Sequence, residues 1–180
     1  MVRCPDPSTS YDMHGIVDGI ARIVTRSNVK DSDALASWTP IYPPYLSDLR
    51  NATVSSGCTC VTQLSIHGTE INGLKYSPSQ FFHTSYLGAV VERDLDAMEH
   101  PYHQHVYPFQ LVGNGYGYYG KYNQVGDWQD VVRGFGPVRY SPNEFTGKLM
   151  IHCHTLNHED RGMMAVEYVS DQSGSCGCGW

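Results

Sequence analysis

The sequence predicts an all-β sandwich or barrel, and three observations predict it. From about Val61 onward the chain runs in short stretches rich in Val, Ile, Tyr and Phe, whose branched or flat side chains suit a pleated, half-buried surface. Gly, Asn and Pro punctuate those stretches, as the turns of sandwiches and barrels require. No long stretch carries the 3.6-residue apolar period of an amphipathic helix.

Taken in order, the first 56 residues are rich in Ser, Asp, Pro and Tyr. Within them, 15–24 holds a short apolar run whose Val and Ile favour a strand, although its period also admits a helix. The segment 38–45 contains Pro40, Pro43 and Pro44 and cannot form a regular element, because each Pro fixes φ and restricts the residue before it. It reads as a linker. Strands are expected at 61–66, 88–95, 106–112, 128–132, 148–154 and 164–169, enough for one sandwich. The Gly- and Tyr-rich stretch 113–120 reads as a surface turn. The expected organisation is therefore 1–56 as the tail of a preceding domain and a linker, 57–171 as the β-domain, and 172–180 as a Cys/Gly-rich tail.

A chain of 180 residues accommodates one domain of ordinary size with attached segments. Its formal net charge of −6 opposes binding to nucleic acid, and no apolar run approaches the roughly 20 residues that cross a bilayer. The opening from Met1 to Pro7 lacks the apolar core of a secretory signal. Asn51-Ala52-Thr53 fits an N-glycosylation acceptor as well as an ordinary polar loop. Cys58/Cys60 and Cys176/Cys178 bracket the expected β-domain, which leaves open a disulfide between the pairs or a thiol-rich Cu(I) or Zn(II) site.

Six of the nine His residues fall in two clusters. One is His100-Pro101-Tyr102-His103-Gln104-His105. The other is His152-Cys153-His154-Thr155-Leu156-Asn157-His158, followed by Glu159-Asp160-Arg161-Gly162-Met163. One thiolate, two imidazoles and a weak axial Met form the donor set of a mononuclear blue-copper site, and neutral imidazole also suits copper on its own. Cys153, His158 and Met163 recur at equal five-residue steps.

Strand parity sorts the donors, because successive side chains point to opposite faces. His152 and His154 face one way and Cys153 the other. If the first cluster is extended, His103 and His105 share a face and His100 takes the opposite one. The sequence thus predicts a copper site of His100, Cys153, His158 and Met163, backed by an imidazole group of His103, His105, His152 and His154. Cys153 and its immediate chain neighbours belong to different sites, a short covalent path for electrons.

These motifs resemble the C-terminal cupredoxin domain of the laccase-like multicopper oxidases. The two His clusters are similar to the family's first and last C-terminal copper motifs. Gly126-Asp127-Trp128-Gln129-Asp130-Val131, Phe145-Thr146-Gly147-Lys148 and Glu70-Ile71-Asn72-Gly73-Leu74 resemble further family segments, so the likeness covers roughly 40–170. It implies a cupredoxin-like Greek-key sandwich or barrel in which His100, Cys153, His158 and axial Met163 bind the type 1 copper. By the same resemblance His103 binds the type 2 copper, and His105, His152 and His154 serve the type 3 pair. Glu159 matches a position that helps deliver protons to the oxygen site. The implied reaction is one-electron oxidation of a small reducing substrate (a phenol, an amine or a metal ion) coupled to reduction of dioxygen to water. The resemblance also implies an extracellular full-length protein.

One departure limits that implication. The family's trinuclear cluster takes eight His from four His-x-His pairs, whereas this sequence has two such pairs. His14, His67 and His83 are isolated and cannot supply the rest. The type 1 set is complete and the type 2/type 3 set is half present, so an N-terminal cupredoxin domain or a partner chain would have to bring the other half. The alternative is a stand-alone blue-copper electron-transfer or copper-binding protein without oxidase activity, for which the four extra imidazoles have no use.

Overall fold

The computed structural model describes residues 12–13, 23–24, 41–58, 64–114, 123–172, 174 and 176–178. The chain divides into two compact units, Met1–Pro43 and Pro44–Trp180. In the first, β1 (Asp12–Met13) pairs antiparallel with β2 (Ile23–Val24). Most of the predicted 15–24 element lies outside the described residues.

The second unit is built on one curled sheet. Its strands are β3 (Leu64–His67), β4 (Glu70–Ile71), β5 (His83–Tyr86), β6 (Val91–Gln104), β7 (Phe109–Leu111), β8 (Trp128–Gln129), β9 (Val131–Tyr140), β10 (Gly147–Cys153), β11 (Met164–Ser170) and β12 (Gly177–Cys178). The order is β12-β5-β11-β10-β6-β9-β7-β8, and β3 joins through β6 and carries β4. The helix among the described residues is a single turn, α1 (Leu156–Asp160).

Strand β6 sets the architecture. Val91, Arg93, Leu95 and Ala97 are buried while Glu92, Asp94 and Asp96 are not, the period of two expected of a strand with one wet face. Pro101 cannot donate to a ladder, and the register against β9 shifts between Ala97 and Tyr102. Beyond this irregularity β6 also pairs with β10, with His152 opposite His103 and Cys153 opposite Tyr102. One strand therefore serves both walls of the curl, which buries Phe82, Tyr102, Phe109, Leu111, Leu149 and Ile151 between them.

The Cys ambiguity resolves in favour of a bridge. Cys58 and Cys176 form a disulfide with Cα atoms 4.8 Å apart across 118 residues. Cys60 lies outside the described residues. Residues 44–58 belong to this unit: the Leu49 amide donates to Gln110 Oε1 at 2.6 Å, and Arg139 Nη1 donates to the carbonyls of Leu49, Arg50 and Ala52.

Several elements differ from the sequence reading. The expected strand at 88–95 starts at Val91 and runs on to Gln104, since the Pro is absorbed by the irregularity rather than ending the strand. The expected 106–112 strand shortens to Phe109–Leu111, because the chain turns at Val106. The element at 128–132 breaks at Asp130, and its second half continues to Tyr140. The parallel strand His83–Tyr86 alternates in burial but not in hydropathy, because its buried positions, His83 and Ser85, are polar and face Glu167.

Candidate metal centre

The chain brings three residues of the first predicted donor set together, His100, Cys153 and His158. Cys153 Sγ lies 3.5 Å from His100 Nδ1 and 3.8 Å from His158 Nδ1, and the two imidazole nitrogens are 3.1 Å apart. Three such donors around one metal at about 2.0–2.3 Å in a trigonal plane stand about 3.5–3.8 Å from one another. The donor set therefore fits one thiolate-loving ion with little movement. Cys153 is a free, fully buried thiol, and the Thr155 amide donates to its sulfur at 3.4 Å. Burial, followed by the neighbouring His158, lowers the pKa of His100, which favours the neutral form that can ligate.

A short helix explains the five-residue spacing. Strand β10 ends at Cys153 and α1 makes one turn. Gly162, with φ +104°, then closes it, an orientation that favours Gly. The Gly162 amide donates to the Glu159 carbonyl at 2.8 Å and the Met163 amide to the His158 carbonyl at 3.0 Å, the paired bonds of a Schellman closure. This closure ties the backbone of buried Met163 to that of His158, and Cys153 N–H donates to the Met163 carbonyl at 3.2 Å. Gly162 at C′ is the signal for this turn; Thr155 holds the N-cap position without a side-chain cap bond, and one turn is too short to carry an apolar period.

The second set gathers on the other side of β10. His105 Nε2 and His152 Nε2 are 3.0 Å apart, and the ligating atoms of His103, His105 and His152 lie within 4.8 Å of one another. The His154 ring centroid is 5.1 Å from that of His103 and 5.8 Å from that of His152. His103 Nδ1 donates to the Asp130 carbonyl at 2.8 Å and His152 Nδ1 to the Cys153 carbonyl at 2.9 Å, so Nε2 is the free donor on both rings. Burial, then the charges of His152 and His103, lowers the pKa of His105. Glu159 Oε2 stands 3.3 Å from His152 Nδ1. His105 and His154 are exposed while His152 is buried, so the group opens outward. Imidazole donors with no thiolate suit copper or zinc.

Of the isolated His residues, neither His67 nor His83 joins either donor set. His67 is exposed and pairs with Asp96 at 3.2 Å. His83 is buried beside Glu167, and His14 lies outside the described residues.

Sequence reasoning missed a buried polar network behind the donors. Arg93 Nη1 donates to Tyr102 Oη at 2.6 Å and to Gln104 Oε1, and its Nη2 donates to Tyr140 Oη at 2.7 Å and to the Glu167 carboxylate. Glu167 also accepts from Ser85 Oγ and Tyr140 Oη. Arg93 and Glu167 each sit at the buried phase of a strand, and that phase was the available signal.

A sequence model of the family described as Multicopper oxidase matches residues 39–173. No curated protein sequence matches the chain. Among solved structures, the chain is similar to a multi-copper oxidase from Pediococcus acidilactici, at 25% identity and TM-score 0.53 over 77% of this chain and 31% of that one. A laccase from P. acidilactici Pa5930 gives 24% identity and TM-score 0.53 over 73% and 30%. The 2F4 variant of the McoA multicopper oxidase from Aquifex aeolicus gives 23% and 0.50 over 76% and 32%. The chain thus spans less than a third of each of these structures. The curled sheet of the second unit is the cupredoxin-like β fold they share.

Proposed function

Because the chain belongs to the multicopper oxidase family, we propose that Pro44–Trp180 is a copper-binding redox domain that takes single electrons from a small reducing substrate. His100, Cys153 and His158 would hold a type 1 copper with Met163 as the fourth donor, and His103, His105, His152 and His154 would hold half of a type 2/type 3 group. Copper at the first set supplies one-electron redox chemistry, and a completed copper group at the second supplies the reduction of dioxygen to water. The observation that carries the proposal is the two-sidedness of β10. Cys153 meets two imidazoles on one side, while its neighbours His152 and His154 meet His103 and His105 on the other.

The residues divide the work. Burial of Cys153 keeps water from its sulfur, and the Thr155 N–H donates to that sulfur and would stabilise it as a copper ligand. Cys153 is bonded directly to His152 and His154, so the covalent path between the two donor sets is one residue long. The Asp130 and Cys153 carbonyls hold the ring protons of His103 and His152 on Nδ1. Glu159 can accept or return a proton beside His152. Oxygen chemistry then needs further imidazoles from an N-terminal cupredoxin domain or a partner chain, and the substrate class is a phenol, an amine or a metal ion.

The test is the optical and EPR spectrum of the copper-loaded full chain, with oxygen uptake followed on a phenolic donor. A thiolate-to-copper band that disappears in Cys153→Ser is expected, with no sustained uptake until the missing imidazoles are supplied. Absence of that band in the unaltered chain would overturn the reading. Sustained uptake by the chain alone would overturn the need for a second half.

A further inference from the structure

The geometry points to Gln104 as a positioning residue that aims the His105 imidazole at His152 by clamping a strained turn at Val106. The metal-binding part of this inference rests on the function proposed above; the positioning itself does not.

Gln104 and Tyr102 alternate with His103, in β6, and His105, the residue after it, so the buried face of the strand end lies directly behind the imidazole face. There the Gln104 amide is held at both ends. Its Oε1 accepts from Arg93 Nη1 and from Tyr102 Oη at 2.8 Å, and its Nε2 donates to the Tyr107 carbonyl at 2.8 Å. Two donors at the oxygen and an acceptor at the nitrogen fix which way the amide points.

The carbonyl that Gln104 grips belongs to an unusual turn. Val106 has φ +67°, and the Tyr107 amide donates to the His105 carbonyl at 2.7 Å, a γ-turn of the strained, positive-φ hand. A β-branched residue at positive φ is a genuine outlier and persists only where its surroundings over-determine it. Those surroundings are visible. Tyr107 Oη donates to the Phe145 carbonyl and accepts from the Phe145 amide at 2.6 Å, Gln104 fixes the Tyr107 carbonyl, and the His105 amide donates to the Met150 carbonyl at 3.0 Å. Val106 itself is 59% exposed, so its side chain contributes little packing to hold the turn. His105 therefore leaves a backbone pinned before and after it, and its Nε2 is presented to His152 Nε2.

The test uses the full chain with Gln104→Met, which keeps length and loses both polar ends, and Val106→Gly, which relaxes the turn without touching the buried network. In the copper-free chain, NMR reads the proton contact between the His105 and His152 rings. In the copper-titrated chain, Cu(II) affinity of the imidazole group is read by EPR, with the thiolate-to-copper band of the Cys153 site as internal control. Gln104→Met is expected to abolish the ring contact and to weaken copper at the imidazole group about tenfold or more, leaving the thiolate band in place. Val106→Gly, which suits the positive φ and keeps the Gln104 clamp, is expected to raise the urea midpoint and to leave the ring contact and the affinity in place. A full-strength ring contact in both variants overturns the positioning role. If Gln104→Met does not fold, Gln104→Glu, which keeps the acceptor for Arg93 and Tyr102 and loses the donor to the Tyr107 carbonyl, decides in its place, and an unchanged ring contact overturns the role. If the unaltered chain binds no copper at the imidazoles, the proposed function fails while the ring contact still decides this inference.

Discussion

His83 makes the fold acid-labile in a way that one substitution should remove. The residue opens β5, opposite Glu167 in the parallel ladder with β11, and it is 1% exposed. Burial, and after it the positive charge of Arg93, pushes its pKa down to about 3. Glu167 lies 3.6 Å from His83 Nδ1 and would act in the opposite sense, but that carboxylate is already committed to Arg93, Ser85 and Tyr140, so burial wins. A folded value below the unfolded value of 6.5 means that the unfolded chain takes up the proton first. Stability from this group is present above about pH 6.5 and is lost as the pH falls toward 3. At pH 5 the folded imidazole is still neutral, so the loss between pH 7 and 5 is set by the unfolded value and comes to about 2 kcal/mol. Urea unfolding of the copper-free chain at the two pH values, compared with His83→Leu, measures it. The variant should lose about 2 kcal/mol less than the unaltered chain over that interval. Equal losses would refute the reasoning, and a larger loss in the variant would mean that Glu167, not burial, governs the imidazole.

Replacing Cys58 and Cys176 together by Ala opens a loop of 118 residues, for which chain entropy sets a ceiling of about 5 kcal/mol and engineered precedent about 2–4; urea midpoints of the variant and the unaltered chain give the value. Gly162→Ala places a Cβ 3.3 Å from Lys75 Cβ at φ +104° and should cost about 1–3 kcal/mol. Because that turn ties Met163 to His158, the thiolate-to-copper band should shift as well. Arg93→Met strands the Glu167 charge in the core and should cost about 3–5 kcal/mol, whereas Arg93→Met with Glu167→Gln should recover a large part of it; a double-mutant cycle by urea unfolding reads the difference.

The parts of the site that follow from covalent connectivity were legible in the sequence. Parity along a strand separates Cys153 from His152 and His154 whatever the surrounding fold, and the same rule, with Pro101 absorbed by an irregularity, puts His100 apart from His103 and His105. The all-β architecture was legible because β-branched and aromatic stretches between turn residues admit few other solutions. What stayed hidden depended on non-local partners. His83–Tyr86 has no apolar alternation to read, since its buried positions carry the polar His83 and Ser85, whose partner Glu167 is distant in sequence. The phase of Arg93 and Glu167 along their strands marks each as buried, but their pairing stayed hidden because nothing within either local segment announces the other, 74 residues away. The turn at Val106 was hidden for the opposite reason: Val is among the residues least suited to positive φ, so local propensity argued for a continuing strand.

That conflict between local preference and observed backbone bears on why the polar network is buried at all. An apolar residue at position 104 would suit the core as well by burial alone, and a buried ion pair is weak evidence of stability, since apolar replacements of similar volume are often neutral or stabilising. The network is placed where stability alone would not require it, directly behind the strand segment whose other face carries His103 and His105. Packing constrains the positions of apolar side chains but supplies no directional bond to a backbone carbonyl, whereas the Gln104 amide does. Directional bonds are what a positive-φ Val needs to persist. The imidazole face is open to solvent at His105 and His154 and has few neighbours there to hold it, so the direction of its rings has to be set from behind.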